Sequence, residues 1–138
     1  MKGRKPGKNS PYYLPDHSYE LAREYALNYD TWLAEIRALR NQSRAIAYDK
    51  DKVSGASGYS PTEAAAMDIA EVQQKVDKIE RALVEASDGD DLEEYIRLAV
   101  CYQYTYRQLT MGRLHMPLNK NEFGRIRQRF YYILYGLI

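Results

Sequence analysis

One long stretch of the chain repeats apolar residues at the spacing of a helix. Between Ile69 and Ala86 they recur at intervals of three and four residues, as in a coiled-coil seam. Nowhere does the chain show the apolar–polar alternation typical of a half-buried strand. We therefore expect an all-α protein, a small helical bundle in which the seam packs inside the domain. A dimer seam is the alternative, since the repeat lasts too few heptads for a free-standing coiled coil. The seam consists of Ile69, Val72, Val76, Ile79, Leu83 and Ala86.

Glycine, proline and small polar residues divide the chain into segments. Residues 1–10 are predicted to form a disordered, basic, flexible arm, because Gly, Pro, Lys and Asn cannot bury a core. Residues 11–47 are predicted to form an antiparallel helical pair, with the first helix beginning near Asp16 or Ser18 and the second near Asp30. The Gly-rich residues 48–59 are a predicted linker loop. In residues 60–138, a capping box with proline at the first helical position, "SPTE", predicts the start of a long helix that ends near Ser87.

Length and cysteine content limit the class of protein. A chain of 138 residues is long enough for one domain with one core. No run of 18 apolar residues occurs, and the charged N-terminus has no apolar stretch behind it, so we expect neither a membrane span nor a secretory signal. Cys101 is the only cysteine, which excludes an internal disulfide and a CxxC site. Together these features favour a soluble intracellular protein.

The net charge of +1 conceals an uneven distribution. The first ten residues carry +4, from Lys2, Arg4, Lys5 and Lys8, and the segment from Thr105 onward carries +5. The residues between them therefore carry −8. Two basic ends on an acidic body suit a protein that touches a polyanion with its ends. A charge-balanced, solvated surface is the equally plausible alternative.

The residue patterns of known catalytic and metal sites do not occur in the sequence. The two histidines, His17 and His115, are far apart and have no partner at ligand spacing. Asp88, Asp90 and Asp91 suggest a calcium loop, but the neighbouring glycine and glutamate are wrongly spaced for an EF-hand. No phosphate-binding loop, nucleophile elbow or zinc-protease motif is present. We therefore expect a protein that is not an enzyme and that uses no metal or cofactor.

The stretch "NKNEFGRIRQRFYYIL", residues 119–134, is predicted to form an amphipathic helix capped by Asn119 and Glu122. Its apolar stripe consists of Phe123, Ile126, Phe130, Ile133, Leu134 and Leu137. A polar strip lies opposite and contains Asn121, Arg125, Gln128 and Tyr132. Asn, Gln and Arg can pair with adenine and guanine edges in the major groove. The alternative is a purely structural last helix, which packs on the bundle and whose charged side chains face water.

Three stretches of the second half resemble the helical part of sigma factors that binds the −35 promoter element: "KVDKIERAL", "DDLEEYIRLAVCYQYTYRQLTM" and the 119–134 stretch. The chain is more closely similar to phage-encoded late-gene transcription regulators of the RinA and ArpU kind. The segment "KNSPYYLP" resembles their "NPYYLP"-like opening, and "FGRIRQRFYYIL" resembles their last helix. One departure is the segment "GRLHMPL", which is longer than the usual turn of a helix-turn-helix.

The resemblance implies a sigma-region-4-like helix-turn-helix unit within residues 60–138 and sequence-specific binding to double-stranded promoter or operator DNA, in the cytoplasm of a bacterial host. RNA polymerase is a further candidate partner. Whether the protein is a monomer or a dimer is left open. Asn121, Arg125 and Gln128 would contact bases. Phosphates would be held by Lys2, Arg4, Lys5, Lys8, Arg113, Lys120, Arg127 and Arg129.

Two other functions fit the same sequence. The first is a phage-encoded module that binds a host protein, as an inhibitor, an adaptor or an anti-defence protein. The 14 tyrosines favour it, because Tyr and Arg are enriched at binding hot spots. The second is a DNA-packaging subunit, which would require a ring oligomer.

Overall fold

A computed structural model describes residues 10–50, 61–88 and 91–138, which form α-helices and no strand. The predicted all-α class is confirmed. The predicted start near Asp30 and the predicted end near Ser87 agree with the structure to within one residue, and of the two predicted starts of the first helix the structure has Asp16. The helices are α1 (Asp16–Leu27), α2 (Tyr29–Lys50), α3 (Pro61–Ala86), α4 (Glu93–Tyr102), α5 (Tyr106–Thr110) and α6 (Lys120–Leu137).

Several sequence predictions concern residues outside the described ranges. These are the basic arm before Ser10, the linker from residue 51 onward, and Ser60 of the predicted capping box. The predicted linker starts too early, because Tyr48–Lys50 are the last residues of α2. No glycine or proline precedes Gly55 in this part of the chain, so nothing in its sequence stops the helix there.

The helices divide between two compact units. The described part of the first consists of residues 10–29, 78–88 and 91–138, and in it α1 packs against α6 and α4. Fully buried Ala22 and Ala26 allow this close approach, and the Tyr19 ring meets the Tyr131 ring edge-on at 5.2 Å between centroids. In this unit α1 therefore packs with C-terminal helices, and its predicted pairing with the second helix stays a prediction. The largest fully buried side chains are Phe130, Ile79, Leu83, Ile96, Leu109, Leu134 and Val100.

The second unit, residues 30–77, contains most of α2 and the first part of α3. Ile36, Val72 and Val76 are buried, and Lys75 Nζ lies 5.5 Å from the centre of the Trp32 ring. Val72 and Val76 belong to the seam predicted from the sequence.

The rest of the predicted seam lies in the first unit. Ile79, Leu83 and Ala86 are buried there, while Ile69 in the second unit is partly exposed. From Val72 onward the seam is therefore covered by the chain's own side chains. This confirms the expectation that it packs inside the protein, and it leaves little apolar surface for a dimer seam.

Candidate nucleic-acid interface

Helix α6 begins where the sequence predicts, and the reason is local. Asn119 has extended backbone angles, and its Oδ1 accepts a hydrogen bond from the Glu122 backbone N–H at 2.8 Å. The Asn119 side-chain amide donates to the Glu122 carboxylate. Lys120 and Asn121 follow directly and are exposed. A cation in the first turn is disfavoured by the helix dipole. The helix itself therefore does not stabilise the charge of Lys120, whereas an external anion would.

Helix α5 precedes α6 and is held by a capping box that the sequence analysis missed. Thr105 Oγ1 accepts from the Gln108 N–H at 3.1 Å, and Gln108 Oε1 accepts from the Thr105 N–H at 2.8 Å. The stretch "TYRQLTM" is predicted to form a short helix that ends at Gly112, and the Thr-x-x-Gln spacing of its cap is visible in the sequence.

The long connection between α5 and α6 is anchored at several points. Met116 N–H donates to the Leu109 carbonyl at 2.9 Å, and Met116 is buried. The hydroxyls of Tyr95 and Tyr106 donate to the carbonyls of Leu114 and Leu118, both at 2.9 Å. Gly112 and His115 take up the left-handed conformations that the sharp bends require. The connection is thus longer than a helix-turn-helix turn, but its ends are fixed.

The apolar stripe of α6 faces the core as predicted. Phe123, Phe130 and Leu134 are buried, and the other three predicted members are partly exposed. Tyr131 is also buried and was not among the predicted apolar residues. Burial raises the pKa of its phenol, so the group stays neutral and protonated.

The polar strip of α6 is accessible to solvent. Asn121 and Arg125 are exposed, and Gln128 is partly exposed. The chain segment before α1 reaches this strip, because the rings of Tyr12 and Tyr132 are in edge contact with centroids 5.9 Å apart. The three residues predicted to contact bases therefore share one surface, and the segment before α1 lies beside it.

The first half of α6 forms one wall of a cleft of about 770 Å³. Its other walls come from α1 with the segment before it, and from the end of α4 with the start of α5. We call this the cationic cleft, because four of its lining residues are basic and none is acidic. Five are tyrosines. The lining residues are Ser10, Pro11, Tyr12, Tyr19, Arg23, Leu27, Ala99, Val100, Gln103, Tyr104, Thr105, Tyr106, Lys120, Asn121, Phe123, Gly124, Arg125, Arg127, Gln128 and Tyr131.

The four cations of the cleft differ in how far they are already engaged. Within the described residues, no ion pair joins Lys120 or Arg125 to a carboxylate. The Arg127 guanidinium lies 5.5 Å from the centre of the Phe123 ring, one turn earlier on α6. Arg23 makes a long contact of 3.9 Å with Glu20. Lys120 and Arg125 are thus the cations most available to an external anion.

The remaining predicted phosphate contacts lie elsewhere. Arg113 is exposed in the connection before α6. Arg129 is on α6 but forms a two-pronged ion pair with Asp88, both N–O distances being 3.1 Å. Lys2, Arg4, Lys5 and Lys8 lie outside the described residues. All four precede Ser10 in the sequence, and Ser10 lines the cleft.

A second charged group in the same unit has the opposite character. Arg97 donates to Glu80 at 2.6 Å, to Glu93 at 2.8 Å and also to Glu94, while the Tyr29 hydroxyl donates to Glu80. We call these five residues the Arg97 cluster. Burial lowers the pKa of the Arg97 guanidinium, but the hydrogen bond and charge of Glu80 outweigh that and raise it overall. Arg97 is therefore a fixed cation that is already neutralised.

Cys101 and the possible metal ligands are the groups that bear on catalysis. Burial raises the pKa of the Cys101 thiol to about 12, so the reactive thiolate is not populated at neutral pH. Among the described residues no three His, Cys, Asp or Glu side chains come together in a way that could hold a metal ion. Asp90 of the considered calcium loop lies outside those residues.

Comparison with known proteins gives no relative: no family model matches the chain, and no curated protein or solved structure is detectably similar to it. Over the described part of the chain, no helix is both long and apolar enough to cross a bilayer.

Proposed function

We propose that this protein binds double-stranded DNA at specific sequences through α6 and regulates transcription, as its resemblance to phage and prophage regulators of the RinA and ArpU kind implies. The observation that carries the proposal is the acid-free lining of the cationic cleft, in a chain whose middle part is strongly acidic. Such a local excess of positive charge attracts a polyanion.

The arrangement of side chains on α6 supports separate roles for them. Asn121, Arg125 and Gln128 offer the paired donors and acceptors that match base edges, and Arg125 suits guanine in particular. Lys120 and Arg127 supply charge next to them for phosphates. Arg113 lies in the connection before α6, where the first element of a helix-turn-helix meets the DNA backbone.

The basic N-terminal residues add a second contact. Lys2, Arg4, Lys5 and Lys8 precede Ser10, which lines the cleft beside α6. Nine residues extend at most roughly 30 Å, close to one turn of B-DNA. One duplex could therefore contact α6 and the basic arm together, with the arm on phosphates.

The test is selection of bound sequences from a pool of random duplexes, followed by affinity measurements across a salt series. We expect a preferred site to be enriched. We also expect the logarithm of the binding constant to fall with the logarithm of salt concentration, with a slope of about −3 or steeper from the cleft cations and the arm. Binding without sequence preference would remove the regulatory part of the proposal, and no salt-dependent binding would remove all of it.

A protein partner is the second candidate, and the outer surface of α6 favours it. Tyr132, Tyr135 and Ile138 expose apolar surface at the C-terminal end of that helix. Aromatic side chains of this kind are enriched at protein interfaces. A host protein and RNA polymerase both fall in this class. Elution from a heparin or DNA resin at low salt would favour it over DNA binding.

A further inference from the structure

We infer that the cationic cleft receives one or two unpaired nucleotides of the bound DNA, with a base against Tyr104 and the backbone phosphates on Lys120 and Arg127. This inference rests on the proposed DNA binding and specifies which form of DNA occupies the site. It follows from the size of the cleft, from its aromatic content and from the position of its cations.

The size of the cleft points to a ligand narrower than a duplex. When a helix enters the major groove, DNA lies on both sides of it. A helix with its side chains is about 10–12 Å across, so space of that order must be free around it. The first half of α6 instead faces walls from α1 and from residues 103–106. Exposed side chains at the rim can still reach a duplex, but the interior cannot hold one. Its volume of about 770 Å³ lies within the range of small-molecule sites, about 300–1,000 Å³.

The aromatic lining supplies surfaces on which bases can stack. Tyr19 and Tyr131 are buried and form part of the floor, and Tyr106 is held by its hydrogen bond to Leu118. Tyr104 differs from them, because 39% of its surface is exposed at the cleft. Proteins that bind single strands combine such exposed aromatic rings with a positively charged groove. Tyr104 and the α6 cations line the same cavity, which therefore contains both elements.

Gly124 keeps the α6 wall open. A methyl group added at its Cα would meet no atom within 4 Å, so there is free space at this point of the lining. A glycine inside a helix weakens the helix relative to alanine. The wall next to Lys120 and Arg127 is thus free of side-chain bulk where a nucleotide backbone would pass.

The experiment compares three DNA probes of one sequence: a blunt duplex, the same duplex with a four-nucleotide single-stranded overhang, and the overhang strand alone. The overhang carries 2-aminopurine, whose fluorescence is quenched on stacking. We expect the overhang to tighten binding about fivefold or more and to be quenched, since one stacked base contributes roughly a factor of five to a hundred.

Tyr104→Ala should abolish both the gain and the quenching and leave the blunt duplex bound as before. Tyr135→Ala is the matched control, because Tyr135 is 38% exposed on α6 but does not line the cleft. It should retain the gain and the quenching.

The outcomes separate the two proposals. No salt-dependent binding of any probe would overturn the proposed function. Tight binding of the blunt duplex with no gain from the overhang, or a gain that persists in Tyr104→Ala, would overturn the inference alone. A poly-glutamate peptide that competes as well as the overhang strand would also overturn it, since an acidic protein segment would then be the better occupant.

Discussion

Arg97 and Arg125 extend from helices of the same compact unit, yet their surroundings differ. Arg97 is only 16% exposed and contacts three carboxylates within the Arg97 cluster. Arg125 is exposed at a cleft whose lining includes no carboxylate. A cation paired inside the protein contributes to folding and has little left for a ligand. A cation without such a partner contributes little to folding and remains available, so the neighbours of each arginine separate the two roles.

The largest effect is expected from Arg97→Ala. Removing the guanidinium leaves Glu80, Glu93 and Glu94 close together without their shared partner. The free energy of unfolding should fall. Breaking a fully buried ion pair costs ~3–5 kcal/mol, and because this cluster is partly exposed, the expected loss is no larger than that. Urea denaturation would measure it.

Arg81→Ala is the control for that change. The Arg81–Glu85 pair is highly exposed and should contribute about 0–1 kcal/mol. Equal, small losses in the two variants would contradict a structural role for the Arg97 cluster.

Arg125→Ala should have the reverse pattern. We expect a loss of ~1–3 kcal/mol in binding to the preferred duplex, a much smaller loss on random duplex, and an unchanged melting temperature.

Arg127→Ala should weaken binding to all sequences alike and reduce the magnitude of the salt slope by about one. It should also destabilise the fold by up to ~1 kcal/mol, through the lost contact with the Phe123 ring. Identical binding profiles for the two variants would argue against separate base and phosphate roles.

Arg129 is intermediate between the two groups, because it lies on α6 but is paired with Asp88. Asp88→Asn should release it. Asp88 has a positive φ of 55°, which asparagine tolerates well, so the backbone should not change. We expect a stability change of no more than ~1 kcal/mol and an affinity for random duplex raised up to about fivefold. Unchanged affinity would show that Arg129 is not a phosphate contact.

The smallest effect concerns Cys101 beside the Arg97 cluster. Its pKa of about 12, against an ordinary value of 9.0, predicts very slow alkylation by iodoacetamide at pH 9 in the folded protein. The same chain in urea should react quickly. Arg97→Ala should speed the reaction by opening this region more often. Rapid alkylation of the folded parent protein would contradict the burial of this part of α4.

Much of the fold could be predicted from the sequence because helix signals are local. The spacing of the seam gave α3, and the cap at Asn119 gave the start of α6. The partner of each helix could not be predicted in the same way. Periodicity shows which face of α1 is buried, but not that Tyr19 packs on Tyr131, which is more than 100 residues away in the chain.

The candidate site was predicted only in part for the same reason. Asn121, Arg125 and Gln128 could be placed on one strip from the helical period of α6 alone. The other walls of the cationic cleft depend on tertiary packing, because Arg23 comes from α1 and Tyr104 from the segment between α4 and α5. The Arg129–Asp88 pair spans 41 residues and gave no local signal.

The account depends most on the claim that the cleft cations are available to a polyanion. The direct measurement is the salt dependence of duplex binding for the parent protein and for the double variant Lys120→Ala/Arg127→Ala, which removes the two cleft cations assigned to phosphates. Arg37→Ala/Arg40→Ala is the control, since both residues are exposed on α2 in the other compact unit. Each phosphate contact contributes about 0.9 to the slope, so the cleft variant should lose nearly two in magnitude and the control should lose nothing. Equal slopes for all three proteins would show that the cationic cleft does not bind DNA.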